Sequence, residues 1–207
     1  MSHERIIGLY EENAAAWDRQ RGRDLFERPW MERFAALLPE GGSILDIGCG
    51  TGEPIARFFI ERGYAVTGVD SSPSLIAICR ERFPHRDWHA ADMRSLNLGR
   101  KFDGILAWHS FFHLSPDDQR PMFALFAAHS KPGSVLMFTS GTSEGESIGS
   151  WCGEPLYHGS LSPEEYRQRL ESNGFTVLDH VLLDSDCGHA TIWLAQMSPA
   201  SGLEGSA

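Results

Sequence analysis

Residues 43–52 read Ser43-Ile44-Leu45-Asp46-Ile47-Gly48-Cys49-Gly50-Thr51-Gly52. A short apolar run closed by three glycines is the pattern of a buried strand that ends in a tight turn. Pro54 suits the first turn of a following helix, whose buried stripe would be Ile55, Phe58 and Phe59. The same unit recurs downstream. Residues 65–69 predict a second strand ending at Asp70, and Ser71-Ser72-Pro73 supplies an N-cap and a first-turn proline for the next helix. Residues 87–90 predict a short third strand ending at Asp92, residues 102–108 a fourth and 135–138 a fifth. Helix starts fall at Ser115-Pro116 and Ser162-Pro163. Strands alternating with helices argue for an α/β fold, a mostly parallel sheet covered by helices on both faces. Residues 175–183 and 190–196 are β-rich with no helix between them, so they predict an antiparallel C-terminal pair at one edge.

Working outward, Ile6, Tyr10, Ala14 and Trp17 share one helical face, and a second helix is expected over 24–38 with Phe26, Trp30, Phe34 and Leu37 on one side. Residues 1–197 are expected to form a single domain, with 1–40 as a helical cap. Residues 141–153, rich in Gly, Ser and Glu, read as a long loop, and 198–207 as a disordered tail. The chain has 207 residues, with 28 acidic against 18 basic ones, a net charge of −10. Such a surface repels phosphate backbones and anionic lipid, so nucleic acid and membrane are not expected partners. The opening residues carry charge too early for a secretory leader, and no apolar run reaches the length of a membrane span. Cys49, Cys79, Cys152 and Cys187 form no C-x-x-C pair, which fits reduced thiols in a cytoplasmic protein.

In open α/β sheets, ligands bind at the carboxyl ends of the strands. Three features converge there. Gly48, Cys49 and Gly50 follow Asp46 in a turn that lets backbone approach a ligand. Asp70, with Ser71 beside it, offers a carboxylate suited to a ribose diol. Asp92 and Met93 offer an acceptor and a soft apolar surface suited to adenine. A nicotinamide enzyme would carry G-x-G-x-x-G, with a pyrophosphate at the helix N-terminus. Here Glu53 stands where its last glycine would fall, and a carboxylate there repels a pyrophosphate. Asp46 just before the glycines suits a ligand that brings positive charge. The residues favour a cationic adenosyl ligand over a dinucleotide.

Leu45-Asp46-Ile47-Gly48-Cys49-Gly50-Thr51-Gly52 resembles the first motif of class I S-adenosylmethionine-dependent methyltransferases of the small-molecule type. Val69-Asp70-Ser71-Ser72 resembles their second motif and Ala91-Asp92-Met93-Arg94 their adenine motif. Phe102-Asp103-Gly104-Ile105-Leu106 with Phe112-His113-Leu114 resembles their fourth-strand segment, and Lys131-Pro132-Gly133-Ser134 the turn before the fifth strand. The resemblance runs over roughly residues 4–197. It implies a Rossmann-like sheet of seven strands whose last strand is inserted antiparallel. It implies S-adenosyl-L-methionine as cofactor and S-adenosyl-L-homocysteine as product. Asp46 and the glycines would hold the methionine part, Asp70 the ribose, and Asp92 with Met93 the adenine. Trp108 would lie against the adenine or the sulfonium, and Tyr10 and Trp17 would close over the cofactor.

Methyl transfer by in-line displacement gains chiefly from positioning and exclusion of water. A general base is needed only where the nucleophile keeps a proton of high pKa. His113 is the first candidate, with His109 and His158 near the expected acceptor; His189 reads as a surface turn. Phe111, Phe112, Trp151 and Tyr157 are candidate walls of an acceptor pocket. No carboxylate occurs from Ile105 to Pro116, which argues against a metal. A small-molecule acceptor with an N, O or S nucleophile is the expected substrate, for a monomer or homodimer. Two alternatives stay open: a methyltransferase acting on protein or RNA, and a non-catalytic binder of the cofactor.

Overall fold

A computed structural model describes residues 3–199. A 3-10 turn, His3–Arg5, leads into α1 (Ile6–Glu12) and α2 (Ala14–Gln20). The expected single helix is split at Asn13, whose side-chain amide and backbone N–H both donate to Leu9 O, at 2.9 and 3.2 Å. That local competition with the helix ladder is a habit of asparagine. The next helix, α3 (Arg28–Ala35), is shorter than the expected 24–38. Pro29 needs a place in the first turn, which fixes its start.

The sheet elements follow as β1 (Ser43–Ile47), α4 (Ile55–Glu61), β2 (Ala65–Asp70), α5 (Pro73–Arg82), β3 (Asp87–Ala90), β4 (Phe102–Ala107), α6 (Pro116–Ala128) and β5 (Ser130–Ser140). After them come β6 (Gly145–Trp151), β7 (Glu154–Ser160), α7 (Pro163–Ser172), β8 (Phe175–Asp184) and β9 (Ala190–Met197). Seven strands make one sheet in the order β3-β2-β1-β4-β5-β9-β8. The pairs among β1 to β5 are parallel, and β9 runs antiparallel between β5 and β8. The resemblance had implied this insertion. Chain order reverses between β1 and β4, which opens a crevice at their carboxyl ends. The three expected serine caps are present: Ser72, Ser115 and Ser162 accept from Leu75, Asp118 and Glu165 N–H at 3.1, 3.2 and 3.1 Å.

Successive side chains of β1 point to opposite faces of the sheet. Ile44 joins Phe34, Phe59 and Met137 on one face, and Leu45 joins Phe111, Phe123 and Trp193 on the other. Each such side chain contributes roughly 1.5–3 kcal/mol on burial. The result is a rigid platform under the crevice.

One expectation fails clearly. Residues 141–153 are not a long loop: β6 pairs with β7 in a hairpin, in register from Gly145 with Ser160 to Trp151 with Glu154. Its two-residue turn is Cys152-Gly153, both at positive φ (54° and 79°). That is the backbone a type I′ turn requires. At the C-terminal end, Ser198 N–H donates to Gly174 O at 2.9 Å. The rest of the expected tail, 200–207, lies outside the described residues. No described helix is long and apolar enough to cross a membrane.

Candidate active site

The carboxyl ends of β1 to β4 open into a crevice with two lobes. Both lobes are lined by Tyr10, Trp17, Gly48, Gly50, His109 and His113, so they meet there. The first lobe adds Asp70, Ser71, Asp92 and Met93. The second adds Asp46, Cys49, Trp108, Phe112, Trp151 and His158.

The glycine turn is shaped by close contact. Gly48 and Cys49 N–H both donate to Val69 O, at 2.7 and 3.0 Å, tying the turn to the end of β2. Gly48 has φ 76°, and a Cβ there would lie 2.2 Å from Ser110 Cβ. Ser110 is itself fixed, its hydroxyl donating to Ile47 O at 2.6 Å. Gly50 has φ 57°, and a Cβ there would approach Trp17 Nε1 to 2.9 Å. Only glycine admits this packing and this conformation together.

Two carboxylates flank the turn. Asp70 accepts from Gly50 N–H at 2.9 Å and from Ser72 N–H at 3.0 Å. Burial nevertheless pushes its pKa up to about 6. Burial, and then repulsion from Asp70, pushes Asp46 up to about 7. A cation placed between them would restore the charged forms. Asp92 is different. Arg94 grips both of its oxygens, Nε at 3.0 Å to each and Nη2 at 2.5 Å to Oδ2, and holds its carboxyl below the usual range.

At the meeting point of the lobes sits a chain of polar groups. Tyr157 O lies 2.8 Å from His113 Nδ1, and the Tyr10 hydroxyl lies 3.0 Å from His113 Nε2. A carbonyl can only accept, so Nδ1 carries the proton and the Nε2 lone pair accepts from Tyr10. Burial pushes both His113 and His109 down to about 4 and lowers His158 as well. All three imidazoles are neutral at pH 7. Burial, with the Asp70 charge, holds the Tyr10 hydroxyl well above its ordinary range. Trp151 stacks on Tyr10 at 5.3 Å and 21°, and Trp17 meets Tyr10 edge-on at 5.3 Å. These contacts close α1, α2 and the β6–β7 hairpin over the junction.

Most of the residues singled out from sequence line the crevice, with three exceptions in detail. Phe111 is no pocket wall; it is fully buried in the core among Phe123 and Phe138. Tyr157 lines neither lobe and serves through its backbone carbonyl. Trp108 lines the second lobe and not the Asp92 side. Sequence reasoning missed Ser110, Arg21 and Glu53. Arg21 sits in the second lobe and pairs with the buried Glu27. In the sequence alone Glu53 is only an obstacle to pyrophosphate, and Ser110 carries no motif signal at all.

The described geometry matches that of a known class. The methyltransferase-domain family matches residues 17–180, and the chain belongs to that family. It is 34% identical over 101 residues to a dTDP-3-amino-3,4,6-trideoxy-alpha-D-glucopyranose N,N-dimethyltransferase of Streptomyces venezuelae, covering 48% of this chain and 42% of that one. It is 38% identical over 122 residues to a dTDP-4-amino-2,3,4,6-tetradeoxy-D-glucose N,N-dimethyltransferase of Saccharopolyspora spinosa, covering 56% and 48%. The chain thus spans about half the length of the curated relatives it matches. An amino pentose methyltransferase from Micromonospora echinaspora, solved with S-adenosylmethionine bound, superposes with a TM-score of 0.71 at 21% identity, over 89% of this chain and 96% of that one. A 1,6-didemethyltoxoflavin-N1-methyltransferase of Burkholderia thailandensis also gives 0.71, at 20% identity over 96% and 91%. These likenesses establish the shared fold.

Proposed function

We propose that this chain transfers a methyl group from S-adenosyl-L-methionine to a small-molecule acceptor and releases S-adenosyl-L-homocysteine. The observation that carries the reading is the two-lobed crevice, with Asp70 and Asp92 in one lobe, Asp46 and the aromatic rings of Trp108, Phe112 and Trp151 in the other, and Tyr10–His113 between them. The residues fit the donor. Asp70 keeps lone pairs free for a ribose diol after its two backbone bonds. Asp92 and Met93 line the same lobe on the adenine side. The sulfonium, when bound, supplies the electrophilic methyl group.

The chain's own residues do the rest. The Gly48–Gly50 turn and Asp46 orient the amino-acid end. Trp17, Tyr10 and Trp151 shut out water, which favours dispersal of charge. Phe112, Trp108 and His158 form walls of the acceptor lobe, with His109 at its junction. His113 Nε2 receives, through the Tyr10 hydroxyl, the proton that the acceptor sheds as its bond to the methyl group forms. The relatives named as aminosugar N,N-dimethyltransferases support an amine as acceptor. The net charge of −10 and a lobe covered by helices and a hairpin oppose RNA or protein as acceptor. The same reading puts the protein in the cytoplasm, where its four free thiols stay reduced.

The experiment is transfer of a labelled methyl group to a panel of small amines, alcohols and thiols, alongside melting with S-adenosyl-L-homocysteine and NAD. Labelled product with stabilisation by the adenosyl compound is the expected result. Stabilisation without transfer to any acceptor would leave only the non-catalytic binder, and stabilisation by NAD alone would overturn the donor.

A further inference from the structure

Glu53 follows directly on the glycine turn and lines the second lobe beside Asp46, Gly48 and Gly50. It is 7% exposed. Arg57, one helical turn on, donates both Nε and Nη2 to Oε1, at 2.8 and 2.5 Å. Oε2 is buried, and no donor reaches it among the described residues. A guanidinium normally meets a carboxylate with two parallel bonds, one to each oxygen. Here both bonds fall on one oxygen. An i,i+4 pair that served only the helix would sit in solvent, with water on the second oxygen. Glu53 Oε2 is instead buried with no protein donor among the described residues, and buried polar atoms left without a partner are rare and call for a reason.

We propose that Glu53 Oε2 is the acceptor for a primary ammonium, namely the α-ammonium at the amino-acid end of the methyl donor. The inference rests on the donor reading above. An ammonium carries three donors and no acceptor, so it completes Oε2 and leaves hydrogens for other acceptors along the turn. Position in the chain selects the donor and not an acceptor amine as its source. Glu53 is contiguous with the turn and shares its part of the lobe with Asp46. The assignment also gives a reason for a glutamate where a pyrophosphate-binding turn keeps a glycine. Arg57 holds Oε1 from the outer side and aims Glu53, so its role is positioning.

Calorimetric titration of the wild type and Glu53→Gln with three ligands tests this. The ligands are S-adenosyl-L-homocysteine, its 2-deamino analogue, which keeps the carboxylate and lacks the ammonium, and 5′-methylthioadenosine, which lacks the whole amino-acid end. A charged hydrogen bond of this kind corresponds to about ten-fold or more in affinity. Glu53→Gln is expected to weaken S-adenosyl-L-homocysteine by about that factor. It should leave the other two within about two-fold, which also proves the variant folded. Equal weakening of all three ligands, or no weakening of the first, overturns the inference. So does a variant whose only defect is a raised KM for an amine acceptor, which would assign the carboxylate to the acceptor. If Glu53→Gln does not fold, the wild type decides alone: a deamino analogue that binds as tightly as S-adenosyl-L-homocysteine overturns the proposal. Failure of the donor reading looks different, since the wild type would then bind none of the three.

Discussion

Tyr10 and His113 illustrate how burial decides chemistry at single residues. His113 has one committed nitrogen, Nδ1, and one basic one, Nε2, which Tyr10 occupies. A proton leaving the acceptor therefore reaches Nε2 only through Tyr10 or after Tyr10 moves. Tyr10→Phe keeps the ring that Trp151 stacks on and removes the relay. We expect turnover to fall roughly 10²-fold, within the range for general acid–base catalysis, while S-adenosyl-L-homocysteine affinity holds. His113→Ala should fall as far, and the double variant no further, because the two act as one unit. Additive losses in measured kcat would separate them. Asp46 carries a second prediction. Its folded pKa of about 7 lies above its ordinary 3.8, so the ligand-free protein binds an extra proton between about pH 4 and 7. Stability from this group is thus greatest below about pH 4 and is lost as pH rises through 7. His109 and His113, at about 4, work in the opposite sense and are destabilising on the acid side. The opposing slopes mask each other in the wild type. Asp46→Asn removes one of them. Its ligand-free stability should rise by up to about 4 kcal/mol at pH 8, read as a higher Tm, and the gain should vanish near pH 4. A gain independent of pH would mean that Asp46 is not a strained charge.

At the scale of elements, the crevice is roofed by parts that the sequence revealed unevenly. The strands and their caps follow from apolar runs, prolines and serines, so the platform was legible. The roof was not. Asn13 splits the first helix by bonding Leu9 O, a choice periodicity does not encode. The β6–β7 hairpin was hidden because its turn uses Cys152 where asparagine is usual, and its strand is mostly serine and glycine. Its order comes from contacts remote in sequence: Trp151 on Tyr10, and Trp151 Nε1 donating to Gln20 Oε1 at 3.0 Å. Glu11 anchors the helical side, accepting from Ser74 Oγ at 2.6 Å and Ser74 N–H at 3.1 Å. Trp151→Ala removes the joint between hairpin and helix without touching the core. Aromatic pairs of this kind contribute about 0.5–1.5 kcal/mol each. We expect only a small drop in Tm, a several-fold rise in acceptor KM, and faster hydrogen exchange confined to residues 145–160 and 6–20. Exchange that rises evenly through the sheet would show that the hairpin is part of the core and not of the roof.

For the whole molecule, seven strands in the order β3-β2-β1-β4-β5-β9-β8 concentrate the acidic strand ends on one rim. Asp46, Asp70 and Asp92 were legible because each lies at or next to the carboxyl end of a strand in sequence. Glu53 was legible as a residue and illegible as a partner, since its orphaned oxygen exists only once Arg57 and the fold surround it. That rim belongs to a chain with ten excess negative charges. Such a field draws in cations and is screened by salt, with a Debye length of about 10 Å at 0.1 M and about 3 Å at 1 M. The proposed donor and its product differ in this respect. S-adenosyl-L-methionine carries an ammonium, a sulfonium and a carboxylate, a net positive charge; S-adenosyl-L-homocysteine has lost the sulfonium charge and is neutral overall. Raising salt from about 0.05 to 0.5 M should therefore weaken the donor several-fold and leave the product nearly unchanged. Product release then does not compete with donor capture, because the field that recruits the one ignores the other. Titration of both ligands across that range measures the two slopes. Parallel slopes would mean that the rim recognises shape alone, and that the acidic surface serves solubility and not the reaction.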